Sequence, residues 1–144
     1  MTIARTARNT ASLVGTYKLV SFAIESDDEP AKEIFGRNPL GYIVITPRRF
    51  TVIFTAENRT FGLSVSEKAA LWETMTSYSG LYQVEGDKLI VSVDVSWNES
   101  WNATRQVRFW QAHGNRLSLT SLPAPYPRDP SKIYSVRASL EKIE

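Results

Sequence analysis

The chain has 144 residues, no cysteine, one histidine and a formal net charge of +2. That length suits one domain with its own core, and the lack of cysteine excludes a disulfide scaffold, a thiolate metal site and a cysteine nucleophile. The lone imidazole, His113, weakens His-rich zinc sites and His-based triads, and the 17 Lys+Arg against 15 Asp+Glu leave no basic stripe for nucleic acid.

In chain order, Met1–Gly15 lacks the apolar core of a secretory signal, and residues 1–12 are read as a disordered leader to a domain over 13–144. No run nears the ~18 apolar residues of a membrane span, so a cytoplasmic protein without a membrane partner is expected. Period-two alternation predicts a strand over Thr16–Glu25, then a charged loop over Ser26–Glu33 broken by Pro30. After an irregular stretch from Ile34, strands are predicted over Gly41–Thr46 and Phe50–Thr55, joined by a tight turn at Pro47–Arg49. Ser66–Tyr78 favours helix, with Ser66 as N-cap, Glu67 in the first turn, and Ala69, Trp72, Met75 and Thr76 on one stripe. Gly80 is placed to end it.

Further strands are predicted near 81–85, 88–97, 105–112, 116–122 and 132–142. Gly86-Asp87 and Gly114-Asn115 suit two-residue hairpin turns and fix register. The first pairs Tyr82 with Val91; the second pairs Trp110 with Leu119 and Arg108 with Ser121. About eight strands in meander order with one helix point to a closed antiparallel barrel, an open sheet on the helix being the competing architecture. On the first hairpin, Tyr82, Val84, Leu89, Val91, Val93, Val95 and Trp97 share the apolar face, which turns Asp94 to solvent. The second hairpin has no clean face. Either Gln106, Arg108 and Trp110 point inward with Leu117 and Leu119, or the opposite face does and Arg108 is a solvated strand residue.

Gly15-Thr16-Tyr17-Lys18-Leu19-Val20-Ser21 resembles the Gly-Thr-Trp-type opening of calycin barrels (lipocalins and fatty-acid-binding proteins), with Tyr17 in place of Trp. More closely, the chain resembles the short lipocalin-like domain proteins of bacteria and fungi. The shared features are Asn38-Pro39-Leu40-Gly41-Tyr42 with Thr46-Pro47, Tyr78-Ser79-Gly80-Leu81-Tyr82-Gln83-Val84, and Gln106-Val107-Arg108-Phe109 running to Gly114-Asn115-Arg116-Leu117-Ser118-Leu119. The likeness spans residues 13–142. Arg48-Arg49 stands where the family tends to carry Asp-Gly, a departure expected to affect only a hairpin. The resemblance implies an all-β antiparallel lipocalin-like barrel with Tyr17 sealing one end beside a basic side chain, for which Arg137 is the candidate. It also implies that Gln106 and Arg108 face inward.

The candidate site is a cavity lined by Tyr82, Trp97, Gln106, Arg108, Trp110 and Leu119, closed by Trp72, Met75 or Tyr78 on the helix. Aromatic walls with a few convergent polar groups are the usual anatomy of a small-molecule site; the alternative is a core in which the polar groups satisfy one another. Arg108 and Gln106 are the candidates to hold or polarise an oxygen, and Tyr82 or Tyr78 to donate a proton. Trp97 and Trp101, in the rim sequence Trp-Asn-Glu-Ser-Trp-Asn, can clamp a ligand or join two copies as a homodimer. His113, Glu73 and Glu99 are expected at solvated turns, helix and loop, and Leu122–Pro130 reads as an extended barrel-end connection. No phosphate loop, dinucleotide fingerprint or metal cluster is legible, so neither cofactor nor metal is expected.

The partner expected is therefore a hydrophobic or aromatic small molecule. The expected activity is a cofactor-free isomerase, cyclase or dehydratase (a lyase) acting on an aromatic or polyketide-like substrate in specialised metabolism. A non-catalytic carrier or sensor, and an oligomerising domain with a filled barrel, are the alternatives.

Overall fold

Short runs of β-branched and aromatic residues between Gly, Pro and Asn turns build ten strands among the described residues. The structure, a computed structural model, describes residues 13–126 and 129–144, so the leader expected over 1–12 lies outside them. The strands are β1 (Gly15–Ser26), β2 (Glu29–Lys32), β3 (Leu40–Ile45), β4 (Arg49–Thr55), β5 (Met75–Glu85), β6 (Lys88–Ser96), β7 (Arg105–His113), β8 (Arg116–Ser121), β9 (Ala124–Tyr126) and β10 (Asp129–Lys142). Among the described residues, a helix, α1 (Val65–Glu73), and a 3-10 turn at Glu99–Trp101 interrupt them. β1, β3, β4, β5, β6, β7, β8 and β10 follow one another antiparallel, and β1 pairs back on β10. That pairing closes the barrel and excludes the open sheet. β2 and β9 extend β1 and β10, so part of the proline-rich connection is strand.

Both predicted hairpins form in the expected register: Glu85 faces Lys88, Tyr82 faces Val91, Trp110 faces Leu119 and Arg108 faces Ser121. The turns at 46–48, 86–87 and 114–115 gather at one end with the start of β1. Leu13 and Tyr17 are buried there, and the Tyr17 hydroxyl donates to the Leu13 carbonyl at 2.9 Å. Burial, with Tyr82 nearby, raises the Tyr17 pKa. The barrel is thus plugged by a phenol that makes its own internal hydrogen bond. Arg137 does not join it. Its neighbours Ala138 and Leu140 point inward, so Arg137 points out and pairs with Glu25 at 3.8 Å, while Tyr17 lies opposite Lys142.

The helix is shorter and earlier than its propensities predict. Ser64, not Ser66, is the N-cap, accepting from the Glu67 amide while the Glu67 carboxylate accepts from the Ser64 amide. The helix ends at Glu73, and Met75 and Tyr78 belong to β5. Nothing on α1 is buried; of the expected stripe, Ala69 and Trp72 are exposed. Strand pairing with β4 from Met75 onward overrides helix propensity here.

Gly80 lies mid-strand rather than at a helix end. Ser79 pairs with Val95 and Gly80 with Val93, so Asp94 is the extra residue of a β-bulge. The bulge shifts the alternation by one, and Val95, expected inside, is 57% exposed. Asp94 points to solvent as expected, where its carboxylate takes two bonds from Arg49, at 3.0 and 2.8 Å. Arg49 also donates to Ser79 Oγ at 3.1 Å, and Ser79 Oγ lies 2.7 Å from Thr51 Oγ1. Arg49 therefore ties β4, β5 and the β6 bulge together, more than the local hairpin role expected of it.

The Arg49 hydrogen bonds hold the Asp94 carboxyl below the usual carboxylate range. A depressed folded-state pKa stabilises above the unfolded value, and the effect is lost as pH falls through the folded one. Asp94→Asn is therefore expected to lower the Tm slightly at neutral pH, with the difference from the parent closing in acid. The pair is exposed, so the effect is small. A difference that stays constant across a pH series of thermal melts would reject this.

Candidate functional site

Pairing settles which face of β7 looks inward. Arg108 stands opposite Leu89 and Gln106 opposite Val91, both 0% exposed, and directly paired residues share a face. Arg108 and Gln106 therefore point into the barrel with Trp110 and the buried Leu119. The Arg108 guanidinium carbon lies 5.9 Å from the ring centres of both Tyr78 and Trp101, within cation–π range, and Nη1 donates to the Val107 carbonyl at 2.9 Å. Gln106 Nε2 donates to Thr104 Oγ1 at 3.0 Å, and Thr104 Oγ1 donates to the Trp101 carbonyl at 2.6 Å. Thr104 thus links the amide to the aromatic loop. Periodicity carried no sign of that role, because residues 97–104 have none.

The loop is built by local polar chemistry. Asn98 Oδ1 caps the 3-10 turn through the Ser100 amide and hydroxyl, at 3.1 and 2.7 Å. Ala103 takes a left-handed φ of 65° and returns the chain to β7. This presents Trp101 to Tyr78, with ring centres 5.3 Å apart, and Trp97 edge-on to Trp101 at 5.1 Å. Trp72 of α1 completes the row, 5.8 Å from Trp97, its Nε1 donating to the Trp97 carbonyl at 3.2 Å. The rim tryptophans Trp97 and Trp101 are consequently half-buried. Trp97 Nε1 and Asn102 Oδ1 are buried here without a hydrogen-bond partner among the described residues.

The predicted site residues divide between the two ends. Trp72, Trp97, Trp101, Tyr78 and Arg108 form one cluster at the end bearing α1. Tyr82 lies about 13 Å further along β5, where its hydroxyl donates to the Thr46 carbonyl at 2.7 Å and burial raises its pKa. Trp110 is also at the turn end, with Nε1 donating to the Gly86 carbonyl at 3.1 Å. His113 is exposed beside the β7–β8 turn, and Glu99 is exposed and accepts from Asn102 Nδ2 at 2.9 Å.

Clefts open on the surface of the described residues. One of about 110 Å³ lies among β1, β2 and β10, near Glu25, Glu29 and Lys132; another of about 250 Å³ lies between α1 and residues 56–60. Arg108 lines neither. In this structure Phe50, Phe54, Tyr78 and the indoles pack against one another in and above the interior. No helix among the described residues is long and apolar enough to cross a membrane.

Comparison with curated proteins finds no match. Among solved structures, the chain is similar to an uncharacterized protein from Bacteroides eggerthii, 10% identical, covering 90% of this chain and 98% of that one at a TM-score of 0.45. The family described as a lipocalin-like domain matches residues 14–137, from the opening of β1 into β10. With its closed eight-strand barrel, the chain belongs to the lipocalin-like domain family, a fold that supports small-molecule binding.

Proposed function

We propose that the protein is a cofactor-free isomerase, cyclase or dehydratase acting in the cytoplasm on an aromatic or polyketide-like molecule held in the barrel. One observation carries the reading: an arginine points inward against Tyr78 and Trp101, beneath two further indoles. Aromatic walls orient a planar substrate, and Arg108 with Gln106 polarises a carbonyl or stabilises a developing enolate. Ordering a reactive substrate can contribute up to ~7–11 kcal/mol in favourable cases, which suits a site with few acid or base groups. Tyr78 takes the proton-donor role, because the Tyr82 hydroxyl is engaged by Thr46. Substrate enters by displacing α1, an exposed helix whose opening leaves the buried core intact.

A carrier or sensor of the same ligands is the second reading. It is favoured by the ring and hydrogen-bond contacts of Arg108, which among the described residues include no histidine or carboxylate. Both readings require binding next to Trp72, Trp97 and Trp101. Planar aromatic and polycyclic compounds are therefore expected to quench tryptophan emission saturably. If no member of a broad panel does so, the small-molecule reading fails.

A further inference from the structure

We infer that the ligand of the α1 end carries an anionic oxygen, held by the Arg108 guanidinium and the Trp97 indole N–H. The inference rests on the small-molecule reading above and narrows its ligand class to planar aromatic anions, whether carboxylates or acidic enols.

Arg108 and Trp97 both present donors that the described residues leave unmatched. Elsewhere the described cations that form ion pairs meet carboxylates at the surface: Arg49 with Asp94, Lys32 and Lys132 with Glu29, Arg137 with Glu25. Arg108 is turned inward and has no ion pair among the described residues. A guanidinium carries five N–H donors, and the acceptor found for this one is the Val107 carbonyl. The side chain is half-buried, so its remaining donors face the interior end without a counter-charge and are open to a bound anion.

Trp97 repeats the pattern. Its ring is fixed between Trp72 and Trp101, its carbonyl accepts from Trp72, and its Nε1–H is buried without an acceptor among the described residues. A buried indole N–H ordinarily finds a partner. Both donors border the same ring, with Trp101 5.9 Å from the guanidinium carbon and 5.1 Å from the Trp97 ring centre. A cationic ligand would face Arg108 with like charge, and an apolar one would leave both donors unmatched. An aromatic anion stacks on the indoles and accepts from both.

The test is calorimetric titration of the full chain with 2-naphthoate and with its neutral analogue 2-naphthamide. The parent protein is expected to bind the carboxylate at least ~10-fold more tightly than the amide, the usual scale of a hydrogen bond to a charged group. Arg108→Met should bring the two affinities together while still binding the amide, which also reports that the α1 end remains folded. Arg108→Lys should retain part of the preference, and Trp97→Phe should weaken the carboxylate by ~3–10-fold. Equal affinity for both compounds, or a preference that survives Arg108→Met, overturns the anion inference and leaves the binding reading standing. So does binding of neutral panel members without binding of naphthoate. If nothing in the panel binds, both readings fall.

Discussion

Replacing Gly80 with alanine is expected to destabilise the barrel by roughly 3–5 kcal/mol, near the upper end for a point substitution. A β-carbon at this position would lie 2.0 Å from the Ser92 carbonyl oxygen, 2.6 Å from its carbon and 3.0 Å from Val93 Cα. All three are backbone atoms, so no side chain can rotate away to make room. Nor can β6 retreat easily, because Gly80 pairs with Val93 beside the bulge and Phe50 of β4 faces Gly80 from the other side. Phe50 is among the most deeply buried side chains, its ring centre 5.8 Å from that of Tyr78. Pushing the strands apart would therefore open the core next to the proposed site. Gly86→Ala is the contrasting control. Nothing lies within 4 Å of its added carbon, and the strain comes from a φ of +62° alone. That conformation costs roughly 1–2 kcal/mol for a residue with a β-carbon. Urea unfolding of both variants checks the order. Equal losses would show that close backbone approach at Gly80 is not what constrains the barrel.

The same bulge explains much of what the sequence could and could not disclose. The hairpins at Gly86-Asp87 and Gly114-Asn115 were legible because two-residue turns fix register locally, and each pairing follows residue by residue. An added residue opposite Gly80 leaves no such local mark, so alternation carried past Asp94 put Val95 inside. The helix boundary was misjudged for a related reason. Met75–Tyr78 reads as helix until β4 is present to pair with it. Arg108 showed the limit of pattern from the other side: its own strand has two mixed faces, and only Leu89 and Val91 of the neighbouring strand decide between them. The grouping of Trp72 with Trp97 and Trp101, and the separation of Tyr82 and Trp110 from them, depend on where strands end around a closed barrel. No single strand carries that information. Arg137 failed as a partner for Tyr17 because of parity and distance along β10, which a motif comparison does not weigh.

If the barrel catalyses, Arg108→Ala is expected to lower kcat/KM by about 10²–10³, the usual loss when a preorganised donor to a developing oxyanion is removed. Tyr78→Phe should remove the general-acid contribution, about 10² or more, because Tyr78 is the phenol that packs against Arg108. Tyr82→Phe distinguishes the two phenols. The Tyr82 hydroxyl closes an internal hydrogen bond to Thr46 at the plugged end, so its loss should cost about 1 kcal/mol of stability and spare kcat. The measurement needs a compound that quenches tryptophan emission, incubated with each variant and analysed for product by mass spectrometry alongside a binding titration. Loss of turnover in Tyr82→Phe but not in Tyr78→Phe would invert the assignment and place the chemistry near the plug. A carrier gives a different pattern. No product forms with any variant, Arg108→Ala changes affinity alone, and trimming Trp97 or Trp101 weakens binding in proportion to the aromatic area lost. The two outcomes separate because a catalyst must bind the transition state more tightly than the ligand, whereas a carrier has only the ligand to bind.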